Sequence, residues 1–183
     1  MDLKKIETKR LIIDNLREED CNATYLSWLM DPVVNQFLES GFHQHTIEGI
    51  KQFVKEQSGS LFVAVRIKES NKHIGNIKIS KIHSKHRTAE YGIMMGDKTE
   101  WGKGYAKEAT IAIINYCFEK LDLRKISLGV IDINNNAVCL YKKLGFQEEG
   151  VFKENFFNRL DQTFRDEIRM AIFKKDWIID ITV

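Results

Sequence analysis

Residues 87–120 read RTAEYGIMMGDKTEWGKGYAKEATIAIINYCFEK, and a change of character within them decides the fold. The first part, 87–95, has the bulky, β-favouring residues that are typical of a strand. The last part, 103–119, carries small and apolar residues at helical spacing, namely Ala106, Ala109, Ile113 and Cys117. Gly102 and Gly104 lie between the two parts. This order of strand, turn and helix predicts an anion site, because free amide N–H groups at a helix N-terminus attract negative charge.

The glycine turn, residues 101–106, fits neither of two well-known phosphate-binding patterns. A Walker loop needs G-x-x-x-x-G-K-[ST], and the sequence does not contain it. A dinucleotide fingerprint needs G-x-G-x-x-G, and Lys107 stands where the third glycine belongs. A tight strand–helix turn without any ligand therefore remains an alternative at this point.

A second segment, 134–146, reads NNNAVCLYKKLGF and predicts a short helix over 134–143. Asn134 is placed to cap this helix, and its side-chain amide can also bond a ligand. Tyr141 follows about two turns later, so both side chains point the same way. A phenol with a pKa of ~10 can donate a proton to a stronger base that forms in a dry site. The alternative is that Tyr141 belongs to the core and that Gly145 ends the helix.

The composition indicates one domain, residues 1–183, without linkers or low-complexity segments. Lys+Arg 28 against Asp+Glu 26 leaves a net charge of +2, so no basic field argues for a nucleic-acid partner. Charged residues follow Met1 and no apolar run approaches a membrane span, which favours a cytoplasmic protein with no membrane partner. The cysteines form no metal-ligand spacing and indicate reduced thiols: Cys21, Cys117 and Cys139. The HSKH segment at 83–86 lacks further ligands, so no metal site is predicted.

Periodicity and turn residues predict a mixed α/β sheet with two helices near the amino terminus. The expected strands are 8–16, 61–67, 73–81, 87–95, 125–132, 146–157 and 163–174. The expected helices are 17–30, 46–57, 103–119 and 134–143, and Thr46 is the expected cap of the second. The apolar segment 33–38 fits either a helical turn or extended chain. A polar loop that bears aromatic residues, 39–45, precedes Thr46.

The segment Trp101-Gly102-Lys103-Gly104-Tyr105-Ala106 resembles the pyrophosphate loop R/Q-x-x-G-x-G/A of the GNAT acetyl-CoA-dependent N-acetyltransferases. Trp101 replaces the usual Arg or Gln, a departure that is common in the RimJ/RimL-like branch. Residues 134–146 resemble the same family's asparagine–tyrosine–Gly-Phe segment, and the resemblance extends over nearly the whole chain. It implies the GNAT fold, an α/β fold with a mixed, mostly antiparallel central sheet, flanking helices and splayed central strands.

The resemblance also implies the residues of the site. Acetyl-CoA, the cosubstrate, would be bound by Met94, Met95, Trp101, Gly102, Lys103, Gly104, Tyr105, Ala106, Asn134, Ala137 and Lys143. A backbone N–H near Met94 would stabilise the oxyanion of the reaction. Tyr141 would be the general acid and Glu90 the general base, with burial raising the pKa of Glu90 toward the working pH. The alternative for Glu90 is an ion pair with a nearby Arg or Lys that only supports the fold.

The amine acceptor is less defined by the resemblance. The loop 39–45 lies where the family binds its acceptor, so Phe42 and His43 are the expected substrate-binding residues. The branch modifies ribosomal-protein amino termini, polyamines, free amino acids and amino sugars, and the segments YLSW at 25–28 and HIGNI at 73–77 favour an amino sugar or other small-molecule amine. A peptide amino terminus, a polyamine, a hydroxyl acceptor and a silent acyl-CoA-binding sensor are the alternatives. The expected assembly is a monomer or a homodimer.

Overall fold

The computed structural model describes residues 3–57 and 59–178 of the 183-residue chain. The described residues form eight strands: β1 (Ile6–Glu7), β2 (Leu11–Asn15), β3 (Leu61–Ile67), β4 (His73–His83), β5 (Thr88–Met95), β6 (Lys125–Ile131), β7 (Gln147–Asn158) and β8 (Thr163–Phe173). They also form five α-helices: α1 (Ala23–Met30), α2 (Pro32–Asn35), α3 (Ile47–Lys55), α4 (Tyr105–Glu119) and α5 (Asn135–Lys143). Short 3-10 turns occupy Glu18–Asp20, Glu39–Phe42, Lys98–Glu100 and Lys174–Asp176.

All eight strands join one sheet in the order β1-β2-β3-β4-β5-β6-β8-β7. Among the pairs of described strands, β5 and β6 form the one parallel pair, and the other neighbours are antiparallel. That parallel pairing joins only Thr88, Ala89 and Glu90 to β6. Residues 91–95 of β5 extend beyond the last pair, so the two central strands splay. The predicted fold class is confirmed, including the splay.

Each face of the sheet is covered by helices, and β3 is buried between them. Val63 and Val65 belong to the core that contains α4 and α5, whereas Ala64 packs with α1 and α3 on the other face. This alternation follows from the two-residue period of a strand. It explains why 61–67 is an almost continuous apolar run. On α4 the predicted apolar side is buried, with Ala109, Ile113 and Cys117 fully enclosed.

Two predicted boundaries near the amino terminus are wrong. The predicted strand 8–16 corresponds to β2, which begins at Leu11 and not at residue 8, because Thr8 makes a turn in which its N–H donates to the Leu11 carbonyl and its hydroxyl accepts from the Leu11 N–H. The short β1 before it was not predicted. The first helix begins at Ala23 and not at residue 17, because the Asn22 side chain caps it. Residues 18–20 instead form a 3-10 turn that brings the Asp20 carboxylate 2.7 Å from the Arg66 guanidinium.

Other helix ends lie within two residues of their predicted positions, although α3 ends at Lys55 and not at residue 57, and α4 begins at Tyr105 and not at residue 103. The helix α1 ends at Met30, just before Asp31-Pro32, and Pro32 then opens the one-turn α2 inside the ambiguous segment. Thr46 caps α3 by accepting a hydrogen bond from the Gly49 N–H at 3.0 Å. The polar loop before it is partly ordered as the 3-10 turn Glu39–Phe42.

Candidate active site

The glycine turn ends at a helix N-terminus that no side chain caps. Gly102 and Gly104 have φ angles of 76° and 81°, in the left-handed region that glycine adopts without strain. Gly104 is the N-cap of α4 and offers no side-chain acceptor, so the first amide N–H groups of the helix are left for another partner. A Cβ built on Gly102 would meet nothing within 4 Å. The turn therefore has both the donors and the open space that a diphosphate needs.

Trp101 anchors this turn to the end of β5. Its indole N–H donates a 2.8 Å hydrogen bond to the carbonyl of Met95, the last residue of β5. The Lys103 ammonium lies 2.8 Å from Glu100, so its charge is shared with that carboxylate. The residue that departs from the family pattern thus links the glycine turn directly to the splayed strand.

Arg10 is a second anchor of the turn, and the sequence analysis did not single it out. Its guanidinium donates to the Lys103 carbonyl at 2.9 Å and lies 4.6 Å from the centre of the Tyr105 ring. It also pairs with Glu108 at 2.6 Å, and Glu108 accepts a further bond from the Thr8 hydroxyl. Burial tends to raise the pKa of Glu108, but the bonds from Thr8 and Arg10 outweigh it and the pKa is lowered. The network fixes α4 to the amino-terminal segment.

Tyr141 lies in the core beside β5. Its ring meets Tyr91 of β5 edge-on, with centroids 6.2 Å apart, and packs against Phe146 at 5.6 Å. Only 6% of the residue is exposed, and this burial raises the pKa of the phenol well above its usual value. A phenol with its ordinary pKa of ~10 is protonated at neutral pH, and the raised pKa means that the Tyr141 hydroxyl can donate only to a strong base such as a thiolate in a dry site.

The helix that carries Tyr141 begins as predicted. The Asn134 side chain accepts a hydrogen bond from the Ala137 N–H at 3.3 Å, which confirms its capping role. Ala137 is partly buried against the core, whereas Lys143 is exposed on the last turn. The structure thus groups Asn134, Ala137 and Tyr141 on α5.

Glu90 lies on the opposite face of β5 from Tyr91, because adjacent strand residues alternate. Its carboxylate bonds Arg169 at 2.6 Å and Lys81 at 2.5 Å. Burial alone raises the pKa of Glu90, but the hydrogen bonds from Lys81 and Arg169 outweigh it and the pKa is lowered. The expectation that burial raises the pKa of this carboxyl toward neutrality is therefore wrong, since two cations share its oxygens.

A cavity of about 690 Å³ opens on the same face as Glu90. It is lined by α1, the segment 38–46, α3 and the central strands, and we call it the α3–β4 cavity. Met94 and Gly92 of β5 form part of its wall, so it reaches the splayed strand. His43 lines it as predicted, but Phe42 is absent from the described lining residues. The Phe42 ring instead packs edge-on against Phe156 at 5.9 Å.

The α3–β4 cavity contains polar groups that the sequence analysis missed. The Ser40 hydroxyl and the Asn76 side-chain N–H₂ are buried and have no hydrogen-bond partner among the described residues. The Asn76 side-chain oxygen is held by the His73 ring at 2.8 Å. Lys78, two residues further along β4, also lines the cavity, and burial lowers the pKa of its ammonium. The spacing of Asn76 and Lys78 along β4 can be recognised in the sequence. The lack of hydrogen-bond partners for Ser40 and Asn76 can be recognised only in the structure.

Other candidate groups are accounted for locally. The rings of His83 and His86 stack at 4.1 Å, and the described residues contain no group of three or more side chains arranged to hold a metal ion. Cys117 is enclosed in the core, where burial raises the pKa of its thiol to about 12, while Cys139 is exposed. Within residues 3–57 and 59–178, no helix has the length and hydropathy that crossing a bilayer requires.

Comparisons with known proteins complete the description of the site. The sequence model described as an acetyltransferase (GNAT) domain matches residues 10–147. The chain is 27% identical over 181 residues to the uncharacterized N-acetyltransferase p20 of Bacillus licheniformis. The aligned residues cover 96% of this chain and 99% of that protein. The chain is 32% identical over 163 residues to the spermidine N(1)-acetyltransferase of Escherichia coli (strain K12), in an alignment that covers 88% of this chain and 80% of that protein.

A solved structure shares the architecture. The spermidine N-acetyltransferase from Vibrio cholerae, determined in complex with CoA and spermine, superposes with a TM-score of 0.82 over 94% of this chain and 100% of that chain. Its sequence identity to this chain is 24%, so the likeness concerns the fold.

Proposed function

The chain belongs to the GNAT family of acetyltransferases, which use acetyl-CoA, and on that premise we propose that it transfers acetyl directly to the primary amine of a small molecule, with an amino sugar as the preferred class of acceptor. The enzyme is an acyltransferase of the N-acetyl type. The choice of a small acceptor is supported by the volume of the α3–β4 cavity, about 690 Å³. It is also supported by the unpartnered Ser40 and Asn76 groups, which suit a ligand rich in hydroxyls.

One observation carries the proposal: two separate sites meet at the end of β5. Met94 lines the α3–β4 cavity, and the next residue, Met95, accepts the hydrogen bond that fixes Trp101 of the glycine turn. The splay leaves residues 91–95 unpaired with β6, so an extended thioester can lie between the strands. An amine in the cavity and a diphosphate on the glycine turn are then joined through one gap in the sheet.

In this proposal, acetyl-CoA supplies an acetyl group activated as a thioester. The amides of residues 102–106 hold its diphosphate, and Asn134 with Ala137 lies along the pantetheine arm. A backbone N–H near Met94 donates to the carbonyl oxygen as negative charge develops there, an effect often worth ~2.7–4 kcal/mol per donor. These assignments rest on the fit of the uncapped helix and the open glycine turn to a diphosphate.

Tyr141 and Glu90 flank the gap from opposite faces of the sheet. We assign to the Tyr141 hydroxyl the proton that the departing sulfur takes up, since α5 places this phenol beside β5 and a thiolate formed in a dry site is a strong base. We assign to Glu90 the proton lost by the amine, passed through water. The lowered pKa makes Glu90 a weak base, so its share of the rate is expected to be smaller than that of Tyr141.

A polyamine is the second candidate acceptor, because the relative from Escherichia coli is a spermidine N(1)-acetyltransferase. The test is turnover with a panel of amino sugars, amino-sugar phosphates, spermidine and short peptides. Released CoA is measured with a colorimetric thiol assay, and the products are identified by mass spectrometry. The proposal expects an N-acetylated sugar amine as the best product. Binding of acetyl-CoA without any acetylated amine would favour the sensor alternative. Preferred acetylation of spermidine or of peptides would replace the acceptor class.

A further inference from the structure

Lys78 is the basic residue of the α3–β4 cavity lining that has no acidic partner. The described residues supply no carboxylate that pairs with its ammonium, whereas Lys81 on the same strand binds Glu90. The Lys78 ammonium instead lies 5.1 Å from the centre of the Phe53 ring and 6.0 Å from that of Phe62. Burial lowers the pKa of Lys78, which shows that the site gives the charge less solvation than water does. A bound anion would restore that solvation.

Asn76 adds a second, independent donor on the same face. It is 3% exposed, and its side-chain N–H₂ makes no hydrogen bond of good geometry among the described residues, although the Tyr25 hydroxyl, which also lines the cavity, lies near enough to interact with it. Because residues two apart in a strand share a face, Asn76 and Lys78 both line the cavity. A buried donor without an acceptor is costly, so such a group in a native site is paired with an ordered water or with a ligand that displaces that water.

The carboxylates near the cavity do not neutralise the charge of the Lys78 ammonium. Among the described lining residues the one carboxylate is Glu39, and its side chain is exposed to solvent. Glu90, on the neighbouring strand, is already bonded to Lys81 and Arg169. A polyamine carries several positive charges and would meet the unpaired ammonium of Lys78 inside the cavity.

We propose that the acceptor carries an anionic oxygen group, a carboxylate or a phosphate, which Lys78 and Asn76 bind while its amine lies at β5. This inference rests on the function proposed above and narrows the acceptor class. Lys78 faces Gly92 of β5 in the strand register, but its ammonium lies toward Phe53 and Phe62, on the β3 side. Since neighbouring strands are about 4.8 Å apart, the anionic group lies roughly 5–10 Å from the amine. Polyamines are thereby disfavoured.

Matched pairs of acceptors test the anion site without assuming turnover. Binding to the CoA-saturated protein is measured by calorimetry for glucosamine 6-phosphate against glucosamine, and for 6-aminohexanoate against hexylamine, with spermidine as the polycation. The wild type is expected to bind the anionic member of at least one pair about 10-fold to 100-fold more tightly, the range of a charge-assisted hydrogen bond. The pair with the larger ratio identifies phosphate or carboxylate.

Variants assign this preference to Lys78. Lys78→Gln keeps a polar, uncharged side chain that is one atom shorter, and it should remove the preference without changing acetyl-CoA affinity. Lys78→Met provides a second variant if the first has a lowered melting temperature. Lys85→Gln, in the exposed turn between β4 and β5, should keep the preference.

Equal or absent binding of both members of each pair by the wild type would overturn the inference. So would a preference that survives in both Lys78 variants, or spermidine binding more tightly than the anionic amines. Product formation in the same samples tests the proposed function separately. Tight binding of an anionic amine without any N-acetyl product would contradict the proposed acetyl transfer but would still support the anion site.

Discussion

The glycine turn and the α3–β4 cavity are built from the chain in opposite ways. The turn is six consecutive residues whose geometry depends on two glycines and an uncapped helix. The cavity draws its wall from α1, the segment 38–46, α3 and three strands, and its polar groups come from distant parts of the sequence. A diphosphate is bound mainly by backbone amides, whereas an acceptor is selected by side chains.

This difference explains why the cosubstrate is identified more readily than the acceptor. A backbone site needs a local conformation, and a short motif specifies that conformation. A side-chain site needs groups brought together by the fold, such as Ser40 and Asn76, and no contiguous pattern records them. The two relatives compared above agree with this, since one is an N-acetyltransferase without a named acceptor and the other acts on spermidine.

The largest expected effect lies at the junction of the two sites. Tyr141→Phe keeps the edge-on contact with Tyr91 but removes the proton donor. We expect kcat to fall by ~10²–10⁴ with little change in acetyl-CoA affinity, because general acid catalysis contributes over that range. Initial-rate assays measure kcat, and calorimetry measures the affinity for acetyl-CoA. Turnover that stays at the wild-type level would mean that the sulfur takes its proton from another group.

The next variant breaks the backbone site alone. Gly104→Val forces a β-branched residue into φ 81°, at a cost of roughly 1–2 kcal/mol, and crowds the diphosphate. Acetyl-CoA affinity should fall about 10-fold to 100-fold, and the rise in melting temperature with acetyl-CoA should shrink accordingly. Gly59→Val is the matched control, because Gly59 has a φ of 87° and a Cβ there meets nothing within 4 Å. Equal losses in both variants would point to a folding defect.

Glu90→Gln tests the opposite face of β5. The kcat/KM at pH 7 should fall about 10-fold and recover as the pH rises, because the free amine then needs no base. Parallel pH profiles for the two proteins would leave Glu90 with a purely structural role.

The same variant has a stability consequence whose sign follows from the lowered pKa. A carboxyl whose folded pKa lies below its ordinary 4.5 stabilises the fold fully above pH 4.5, and the stabilisation is lost as the pH falls through the folded pKa. Glu90→Gln should therefore be less stable than the wild type at pH 7, and the difference should shrink in acid. Urea denaturation at pH 7 and near pH 3 measures it. A constant difference would show that the ion pairs do not stabilise the fold.

The smallest expected effect is on the KM for the amine, and it distinguishes His43 from Phe42, its neighbour in the loop 39–45. His43→Ala should raise the KM for the amine about threefold to tenfold and leave the KM for acetyl-CoA unchanged, because His43 lines the cavity. Phe42→Ala should act less, and only by loosening the loop that Phe156 and Arg159 hold. The ratio of the two KM values for each variant is the measurement. A change confined to acetyl-CoA would mean that the acceptor binds elsewhere.

Much of the fold could be predicted because its local determinants are strong. The apolar run of β3 and the Thr46 cap of α3 are both recognisable in the sequence. The start of α1 was misplaced because 17–20 has the composition of a helix N-terminus, while Asp20 is drawn instead to Arg66, which is distant in sequence. The ion pair between Asp20 and Arg66 therefore outweighs the local helix propensity of residues 17–20.

The site follows the same division. The glycine turn and the Asn134 cap depend on neighbours in sequence, and the structure has them as predicted. The pKa of Glu90 depends on Lys81 and Arg169, one at the end of β4 and the other on β8, and their approach reverses the effect that burial alone would have. Arg10 beside Tyr105 went unnoticed for the same reason, since 95 positions separate them in the printed numbering.

Direct transfer between two sites that meet at β5 is tested most directly by initial rates measured while acetyl-CoA and the amine are varied together. If both sites must be filled at once, double-reciprocal plots against either substrate intersect, and one N-acetyl amine appears for each CoA released. Parallel lines would contradict the account, because they would mean that acetyl is first held covalently by the protein and that CoA leaves before the amine arrives.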